Sequence, residues 1–131
     1  MVDLDGRHRV QGLVARPAVY VHPNDTLQQV SQTLIDESIG AALVRGPHGL
    51  IGLISERDLV RAIAEGVSLT RTQVEDVMST DLVTAAPYDE LIEVVHRMLD
   101  AEVRHLPIVE DGVAYGMMSV RDALRVIADE R

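Results

Sequence analysis

Two short stretches of sequence decide the fold: Gly52-Leu53-Ile54-Ser55-Glu56-Arg57-Asp58 and Gly116-Met117-Met118-Ser119-Val120-Arg121-Asp122. In each, an apolar run ends at a serine, and an aspartate follows three residues later. Ser-x-x-Asp has the spacing of a helix capping box, in which the serine and the acid each bond a backbone N–H group. The stretches therefore predict a strand that runs directly into a helix, twice in one chain.

The two stretches belong to a longer internal repeat. When the sequence is shifted along itself by 64 residues, 14 of the 55 positions from 10 to 64 are identical without a gap. Average residue usage would give about four identities by chance. The identical pairs are Val10/Val74, Val19/Val83, Pro23/Pro87, Asp25/Asp89, Leu27/Leu91, Val30/Val94, Asp36/Asp100, Gly52/Gly116, Ser55/Ser119, Arg57/Arg121, Asp58/Asp122, Arg61/Arg125, Ile63/Ile127 and Ala64/Ala128. A repeat with only two copies predicts two similar units that pack about a pseudo-twofold axis.

Each copy has the pattern of a strand, a helix, two strands and a second helix. In the first copy, residues 18–22 form a β-type run, and Asp25 or Thr26 caps a helix with apolar residues at helical spacing. Apolar runs at 41–45 and 50–54 flank a hairpin turn. The elements predicted for the second copy are a strand near 82–86, a helix at 90–102, strands at 105–109 and 113–118, and a helix at 120–129.

These patterns predict an α/β (α+β) fold of two β-α-β-β-α repeats. The predicted divisions are a loose tail at 1–9, a first repeat at 10–66, a polar linker at 67–73 and a second repeat at 74–131. The helix at 90–102 carries more apolar residues than a half-buried helix needs. This surplus predicts a contact with the other repeat or with a second chain.

Composition removes many classes of function. The 131 residues include no cysteine, and all 12 basic residues are arginine in a chain of net charge −9. The absence of cysteine excludes disulfides and thiolate metal sites, and the absence of lysine excludes a P-loop. The acidic balance and the lack of Phe and Trp argue against a nucleic-acid partner.

The sequence also contains no pattern that indicates metal binding, catalysis or membrane insertion. No two histidines have a metal-ligand spacing, and no nucleophile motif or isolated carboxylate pair indicates an enzyme. No apolar run reaches the length of a membrane span, and the start lacks a signal-peptide pattern. We therefore expect a cytoplasmic protein without metal, cofactor or catalytic residues. The arginine-only basic residues and abundant alanine and valine favour a GC-rich bacterial source.

The order of the elements, their duplication and the Gly-h-h-Ser-x-x-Asp ending of each third strand resemble a pair of cystathionine β-synthase (CBS) domains. The segments Val74-Glu75-Asp76-Val77-Met78 and Arg104-His105-Leu106-Pro107-Ile108-Val109 are also typical of that family. The resemblance covers residues 10 to 129. It implies a regulatory module, usually a homodimer, with two clefts that bind adenosine-containing ligands such as AMP, ADP, ATP or S-adenosylmethionine.

The resemblance also implies which residues hold the ligand. The aspartate of each motif would bind ribose, the serine would bind phosphate, and a loop of the opposite repeat would meet the base. The residues of one cleft would be Ser55, Asp58, Thr84, Ala85 and Ala86. The residues of the other cleft would be Ser119, Asp122, Tyr20, Val21 and His22.

A basic pair at the start of the second strand often contacts phosphate in this family. Arg104 and His105 match that pair, whereas their counterparts Gly40 and Ala41 do not. We assign Arg104 and His105 to the cleft of Asp58, which predicts that a phosphorylated nucleotide prefers this cleft.

Two interpretations of the motif remain open at this point. The serine and aspartate could be helix caps alone, in a structural protein that dimerises or docks a partner protein through its apolar helices. They could also bind a ligand, because a helix N-terminus attracts anions and a carboxylate can accept both hydroxyls of a ribose. A ligand sensor that regulates a partner protein is the prediction we carry forward.

Overall fold

The computed structural model describes residues 8–12 and 17–129. Within them the chain forms an α+β fold of five strands, four helices and two short 3-10 turns at Val10–Gly12 and Val74–Asp76. The strands and helices are β1 (Tyr20–Val21), α1 (Leu27–Glu37), β2 (Ala41–Gly46), β3 (Gly49–Ser55), α2 (Glu56–Ala64), α3 (Leu91–Ala101), β4 (His105–Glu110), β5 (Val113–Ser119) and α4 (Val120–Asp129). This order confirms the fold class that the sequence predicts.

The chain divides into two compact units. The first unit comprises residues 19–82, and the second comprises residues 83–129 together with the described residues up to 18. Each has one apolar core beneath a small sheet and a pair of helices. The buried core residues of the first unit are Val21, Leu27, Val30, Leu34, Ala42, Val44, Ile54, Leu59, Ala62 and Val74. Those of the second unit are Val10, Ala85, Leu91, Val94, Met98, Leu106, Ile108, Met118 and Ala123.

The sheet of the first unit has the order β1-β2-β3, with β1 parallel to β2 and β2 antiparallel to β3. A turn at Pro47 and His48 joins β2 to β3, as the sequence predicts. Helix α1 begins at a capping box in which Gln29 N–H donates to Thr26 Oγ1 at 3.1 Å and Thr26 N–H donates to Gln29 Oε1 at 2.7 Å. Of the two capping residues that the pattern allowed, the structure selects Thr26.

The strand predicted near 82–86 is reduced to one bridge between Ala85 and Ile108. In the first unit, Leu43 N–H donates to Val19 O at 2.9 Å and extends the parallel pairing. The equivalent residue of the second unit is Pro107, which has no N–H to donate. The sheet of this unit therefore contains only β4 and β5, joined by a turn at Asp111 and Gly112 whose φ angles of 52° and 78° suit a tight hairpin.

The first residue of each sequence repeat packs into the core of the unit formed mainly by the other repeat. Val74 N–H donates to Asp25 O at 2.8 Å, and Val74 is fully buried in the first unit. Val10 N–H donates to Asp89 O at 3.0 Å, and Val10 is fully buried in the second unit. The packing units therefore do not follow the predicted repeat boundaries at 10 and 74.

The predicted loose tail at 1–9 does not hold for its last two residues. His8 O accepts Leu91 N–H at 2.8 Å, and Arg9 forms an antiparallel bridge with Glu90. These bonds satisfy backbone groups just before α3 that no side chain caps. Residues 1–7 lie outside the described residues.

We predict that Val10→Ala lowers the free energy of unfolding by about 1–3 kcal/mol, because it removes a buried side chain from the core of the second unit. Urea unfolding would measure the loss. Ile35→Ala is the control, since Ile35 is 75% exposed and its truncation should change stability by less than about 0.5 kcal/mol. Equal effects of the two variants would contradict a structural role for the segment around Val10.

Candidate functional site

The first serine–aspartate corner lies where β3 ends at Ser55 and α2 begins at Glu56, with no loop residue between them. Asp58 N–H donates to Ser55 Oγ at 3.3 Å, and Ser55 N–H donates to Asp58 Oδ2 at 2.9 Å. Asp58 is the one charged residue among those described that is buried, at 8% exposure. The capping interpretation of this motif is therefore correct as local geometry.

The remaining atoms of this corner are also engaged. The Ser55 hydroxyl donates to Asp58 Oδ2 at 3.1 Å. One turn further on, Arg61 NH1 lies 3.5 Å from Asp58 Oδ1 and forms an ion pair with it. Arg61 occurs among the repeat identities, and its spacing of three residues from Asp58 permits this contact. Arg125 has the same spacing from Asp122, so the spacing alone does not decide which pair forms.

The second corner repeats the geometry where β5 meets α4. Ser119 N–H donates to Asp122 Oδ2 at 2.8 Å, and Asp122 N–H donates to Ser119 Oγ at 3.1 Å. Among the described residues, none bonds the second carboxylate oxygen of Asp122. A carboxylate held in this way at a helix N-terminus retains acceptor sites for a pair of hydroxyl groups.

Gly52 has a structural role that the sequence did not reveal. A Cβ atom at this position would lie 2.6 Å from Met78 Sδ and 3.0 Å from Ser79 O. Ser79 pairs with Leu53 through two backbone hydrogen bonds of 2.9 and 3.0 Å, so the chain cannot move away freely. Close approach of the segment at 78–79 therefore explains this glycine without a ligand.

Arg104 and His105 lie beside the corner of their own unit. His105 faces Ser119 across the β4–β5 pair, and Arg104 O accepts Val120 N–H at 2.9 Å. Gly40 and Ala41 take the same places in the first unit, where Gly40 O accepts Glu56 N–H at 2.9 Å. The assignment of Arg104 and His105 to the cleft of Asp58 joins the two units and stays a prediction.

The loop at Thr84, Ala85 and Ala86 is held by hydrogen bonds at every residue. Ala85 N–H donates to Pro107 O at 3.1 Å, and Ala85 O accepts Val109 N–H at 2.8 Å. The Thr84 carbonyl already accepts a hydrogen bond from Arg97, which takes one of its two lone pairs. The N–H and hydroxyl groups of Thr84 have no partner among the described residues, so they are the groups of this loop best suited to a ligand.

Arg97 and Asp89 hold this loop together, and sequence reasoning missed both. Arg97 NH1 donates to Thr84 O at 2.9 Å and to Asp89 Oδ2 at 3.1 Å. The same oxygen of Asp89 accepts Ala86 N–H at 2.9 Å. The identity of Asp25 and Asp89 across the repeat could have indicated a shared role for the aspartate. Nothing in the sequence indicated the role of Arg97, because its counterpart in the first copy is Thr33.

The equivalent segment of the first unit contains Tyr20 and Val21, which form β1, and His22 directly after it. Val21 is buried, so only its backbone can reach a ligand. The guanidinium of Arg45 lies 3.8 Å from the centre of the Tyr20 ring. His22 N–H donates to Asp25 Oδ2 at 2.9 Å, which matches the bond between Ala86 and Asp89. Its exposed side chain is the most accessible of the three.

The structure thus brings predicted site residues together within each unit, but it does not test the pairing between units. Ser55 lies with Asp58, and Ser119 lies with Asp122. The expectation that each corner shares a cleft with a loop of the other repeat stays a prediction. Across residues 8–12 and 17–129, no three histidine or acidic side chains cluster as metal ligands would. In the same residues, no helix has the length and apolar character to cross a membrane.

Both repeats match the same family of known proteins. The CBS domain family model matches residues 10–65 and again 74–129. The mitochondrial CBS domain-containing protein CBSX3 of Arabidopsis thaliana is 31% identical over 113 residues. That match covers 82% of this chain and 55% of the relative, which is therefore considerably longer than the matched region. The chain belongs to the CBS domain family.

Solved structures agree in fold over nearly the whole chain. A CBS-domain protein of Agrobacterium tumefaciens has a TM-score of 0.86 at 26% identity, with 92% of this chain and 99% of that chain covered. A CBS domain protein of Pyrobaculum aerophilum complexed with AMP has a TM-score of 0.82 at 23% identity, covering 93% and 99%. A CBS domain pair in complex with 5′-methylthioadenosine and S-adenosyl-L-methionine has a TM-score of 0.88 at 20% identity, covering 95% and 99%.

The pKa of Asp89 lies below its ordinary value, mainly because the carboxylate accepts the Ala86 N–H, while burial opposes the shift and Arg97 strengthens it. An acid with a lowered pKa stabilises the fold above its unfolded pKa of about 3.9. That contribution is lost as the pH falls through the lower pKa of the folded state.

We therefore predict that Asp89→Asn lowers stability by about 1–2 kcal/mol at pH 7. The difference from the wild type should shrink below about pH 4, as the wild-type carboxylate becomes protonated. Urea unfolding across a pH series would measure both effects. Asp25→Asn is the matched control, because Asp25 accepts the equivalent N–H and no described arginine pairs with it, so its loss should be smaller. A loss at Asp89 that does not change with pH would contradict the role of its charge.

Proposed function

We propose that this chain is a regulatory module that binds an adenosine-containing ligand, such as AMP, ADP, ATP or S-adenosylmethionine. The observation that carries the proposal is the doubled serine–aspartate corner, which holds a carboxylate at the N-terminus of α2 and again at that of α4. The AMP, methylthioadenosine and S-adenosylmethionine complexes of structurally similar CBS proteins support this class of ligand.

The chemistry of each corner suits a ribose phosphate. A carboxylate accepts hydrogen bonds from the two ribose hydroxyls, and it prefers them to one hydroxyl because both of its oxygens can take part. The positive end of the helix dipole favours a phosphate beside the serine. We propose Ser55, Asp58, Ser119 and Asp122 for these roles.

Loops of the opposite repeat would complete the two sites. We propose that Thr84, Ala85 and Ala86 meet the base of a ligand at Asp58, and that Tyr20, Val21 and His22 do so at Asp122. Ligand binding would then change the relative position of the repeats, or of two subunits, and so regulate a partner protein. A ligand shifts such an equilibrium only by its difference in affinity for the two states. We assign no catalytic step to the chain.

We predict that one of these ligands raises the melting temperature of the wild-type chain by several degrees. At a hundred times its dissociation constant, a ligand adds about 2.7 kcal/mol of stability, whereas a ligand that does not bind adds none. A thermal unfolding screen would use AMP, ADP, ATP and S-adenosylmethionine with the wild type, Asp58→Ala and Asp122→Ala. At least one aspartate variant should lose its share of the ligand-induced rise.

Thr26→Ala separates ligand binding from helix capping. It removes the same kind of capping box from α1, so it should cost about 0.5–2 kcal/mol without ligand. Its ligand-induced rise should remain, because Thr26 is not a residue of either corner. If no ligand raises the melting temperature, or if Thr26→Ala abolishes the rise as fully as the aspartate variants do, the proposed function is wrong.

The exposed apolar side chains of the helices favour a second function, which is association with another copy of the chain. On α3, Ile92 and Leu99 are 56% and 63% exposed, and on α4, Leu124 and Ile127 are 58% and 51% exposed. Large apolar residues on paired helices are costly to leave in water. We propose that these helices contribute to a homodimer.

We predict that the wild-type chain sediments as a dimer and that Leu99→Glu shifts it to monomer at micromolar concentration. A charge placed in an apolar contact without a partner is strongly unfavourable. Arg121→Glu is a control on α4 that changes charge without removing an apolar side chain. A wild-type monomer, or a dimer that persists in Leu99→Glu, would contradict dimerisation through these helices.

A further inference from the structure

The two serine–aspartate corners differ in the hydrogen bonds that their acids already make. In the first corner, Asp58 Oδ2 accepts from both the N–H and the hydroxyl of Ser55, and Asp58 Oδ1 pairs with Arg61. A ribose at Asp58 must therefore share Oδ1 with Arg61 and compete with the Ser55 hydroxyl for Oδ2. With three hydrogen bonds already accepted, the Asp58 carboxylate has one acceptor site left.

The second corner leaves two groups available. Asp122 Oδ2 accepts only the Ser119 N–H, and none of the described residues bonds Asp122 Oδ1. The Ser119 hydroxyl accepts Asp122 N–H without donating its own proton to a described residue. Arg125 is the repeat counterpart of Arg61, yet in the part of the chain that the structure describes it makes no ion pair with Asp122.

The fixed charges around the two corners differ in the same direction. The first turn of α2 carries the acids Glu56 and Asp58, whereas that of α4 carries only Asp122. At the strand start beside the second corner lie Arg104, whose side chain is exposed, and His105. A phosphate would thus meet an additional carboxylate, that of Glu56, at the first corner and an additional guanidinium, that of Arg104, at the second.

We infer that the Ser119–Asp122 corner binds phosphorylated adenosine ligands more tightly than the Ser55–Asp58 corner, and that Arg61 competes with the ligand for Asp58. The inference rests on the proposed function. It is the opposite of the preference expected from the sequence, which assigned Arg104 and His105 to the cleft of Asp58, whereas the inference uses their position beside Ser119. Its consequence is a sensor whose two sites fill at different ligand concentrations.

Arg61 sets only a part of this difference. An ion pair between residues three apart on a helix, one of them an exposed arginine, is worth about 0.4 kcal/mol, which corresponds to about a twofold change in affinity. The Glu56 and Arg104 charges act on the phosphate and not on the ribose. The gap between the sites should therefore be wider for AMP than for adenosine, which lacks the phosphate.

Isothermal titration calorimetry of the full chain with AMP and with adenosine tests the inference. The wild type should show two binding steps of unequal affinity for AMP. Asp122→Ala should remove the tighter step, and Asp58→Ala should remove the weaker step. Arg104→Gln should weaken the tighter AMP step two- to fivefold and leave adenosine binding nearly unchanged.

The matched pair Arg61→Gln and Arg125→Gln isolates the competition at Asp58 without removing either cap. Arg61→Gln should tighten the weaker step about twofold, and Arg125→Gln should change neither step. Two equal AMP sites, loss of the tighter step in Asp58→Ala, or equal effects of the two arginine variants would each overturn the inference while the proposed function stands. Absence of binding by both AMP and adenosine would overturn the inference together with the proposed choice of ligand.

Discussion

The structure depends on how the chain passes from strand to helix without a loop at Ser55 and at Ser119. A helix that starts directly on a strand leaves backbone N–H groups of its first turn without intrahelical partners. The serine hydroxyl accepts one of them, and the aspartate three residues later accepts the N–H of the serine itself. This reciprocal pair fixes the direction of the helix relative to the strand. It also holds a carboxylate at the positive end of the helix. The same carboxylate oxygens that accept the serine N–H would accept the hydroxyl groups of the proposed ligand.

That shared use limits what each corner can do. An acid that already accepts three hydrogen bonds, such as Asp58, is a good cap and a poorer ribose acceptor, because it has only one acceptor site left for two hydroxyls. An acid with one oxygen left over, such as Asp122, caps its helix and keeps capacity for a ligand. The two copies of the repeat form corners with the same backbone geometry, and the side chains around the two corners make different hydrogen bonds. If both corners bind the proposed ligand, this difference gives two sites of unequal affinity.

Val10 and Val74 exchange places between the two copies of the repeat: each lies in one copy of the sequence and packs in the core formed mainly by the other. Each of these valines opens one sequence repeat and fills the core of the unit formed mainly by the other. Neither unit has a complete core from its own repeat alone. The residues that join the repeats are therefore structural parts, and a boundary drawn from sequence identity does not mark the boundary of a packed unit.

The sequence by itself determined the repeated order of elements except the first strand of the second copy, the capping residues at both corners, and the absence of cysteine and lysine chemistry. These follow from local patterns: apolar periodicity, turn residues and the Ser-x-x-Asp spacing act over a few neighbouring positions. Only the tertiary structure decided that Pro107 shortens the pairing of the predicted first strand to one bridge, and that Gly52 makes room for Met78 and Ser79. It also decided that Arg97 bonds the Thr84 carbonyl and that Arg61 forms an ion pair with Asp58. Each of these depends on which side-chain or backbone atoms meet across elements or across a helical turn, and on which of several partners a group takes. Spacing in one sequence does not specify that choice, because a carboxylate, a carbonyl or an arginine bonds whichever group the fold brings within reach.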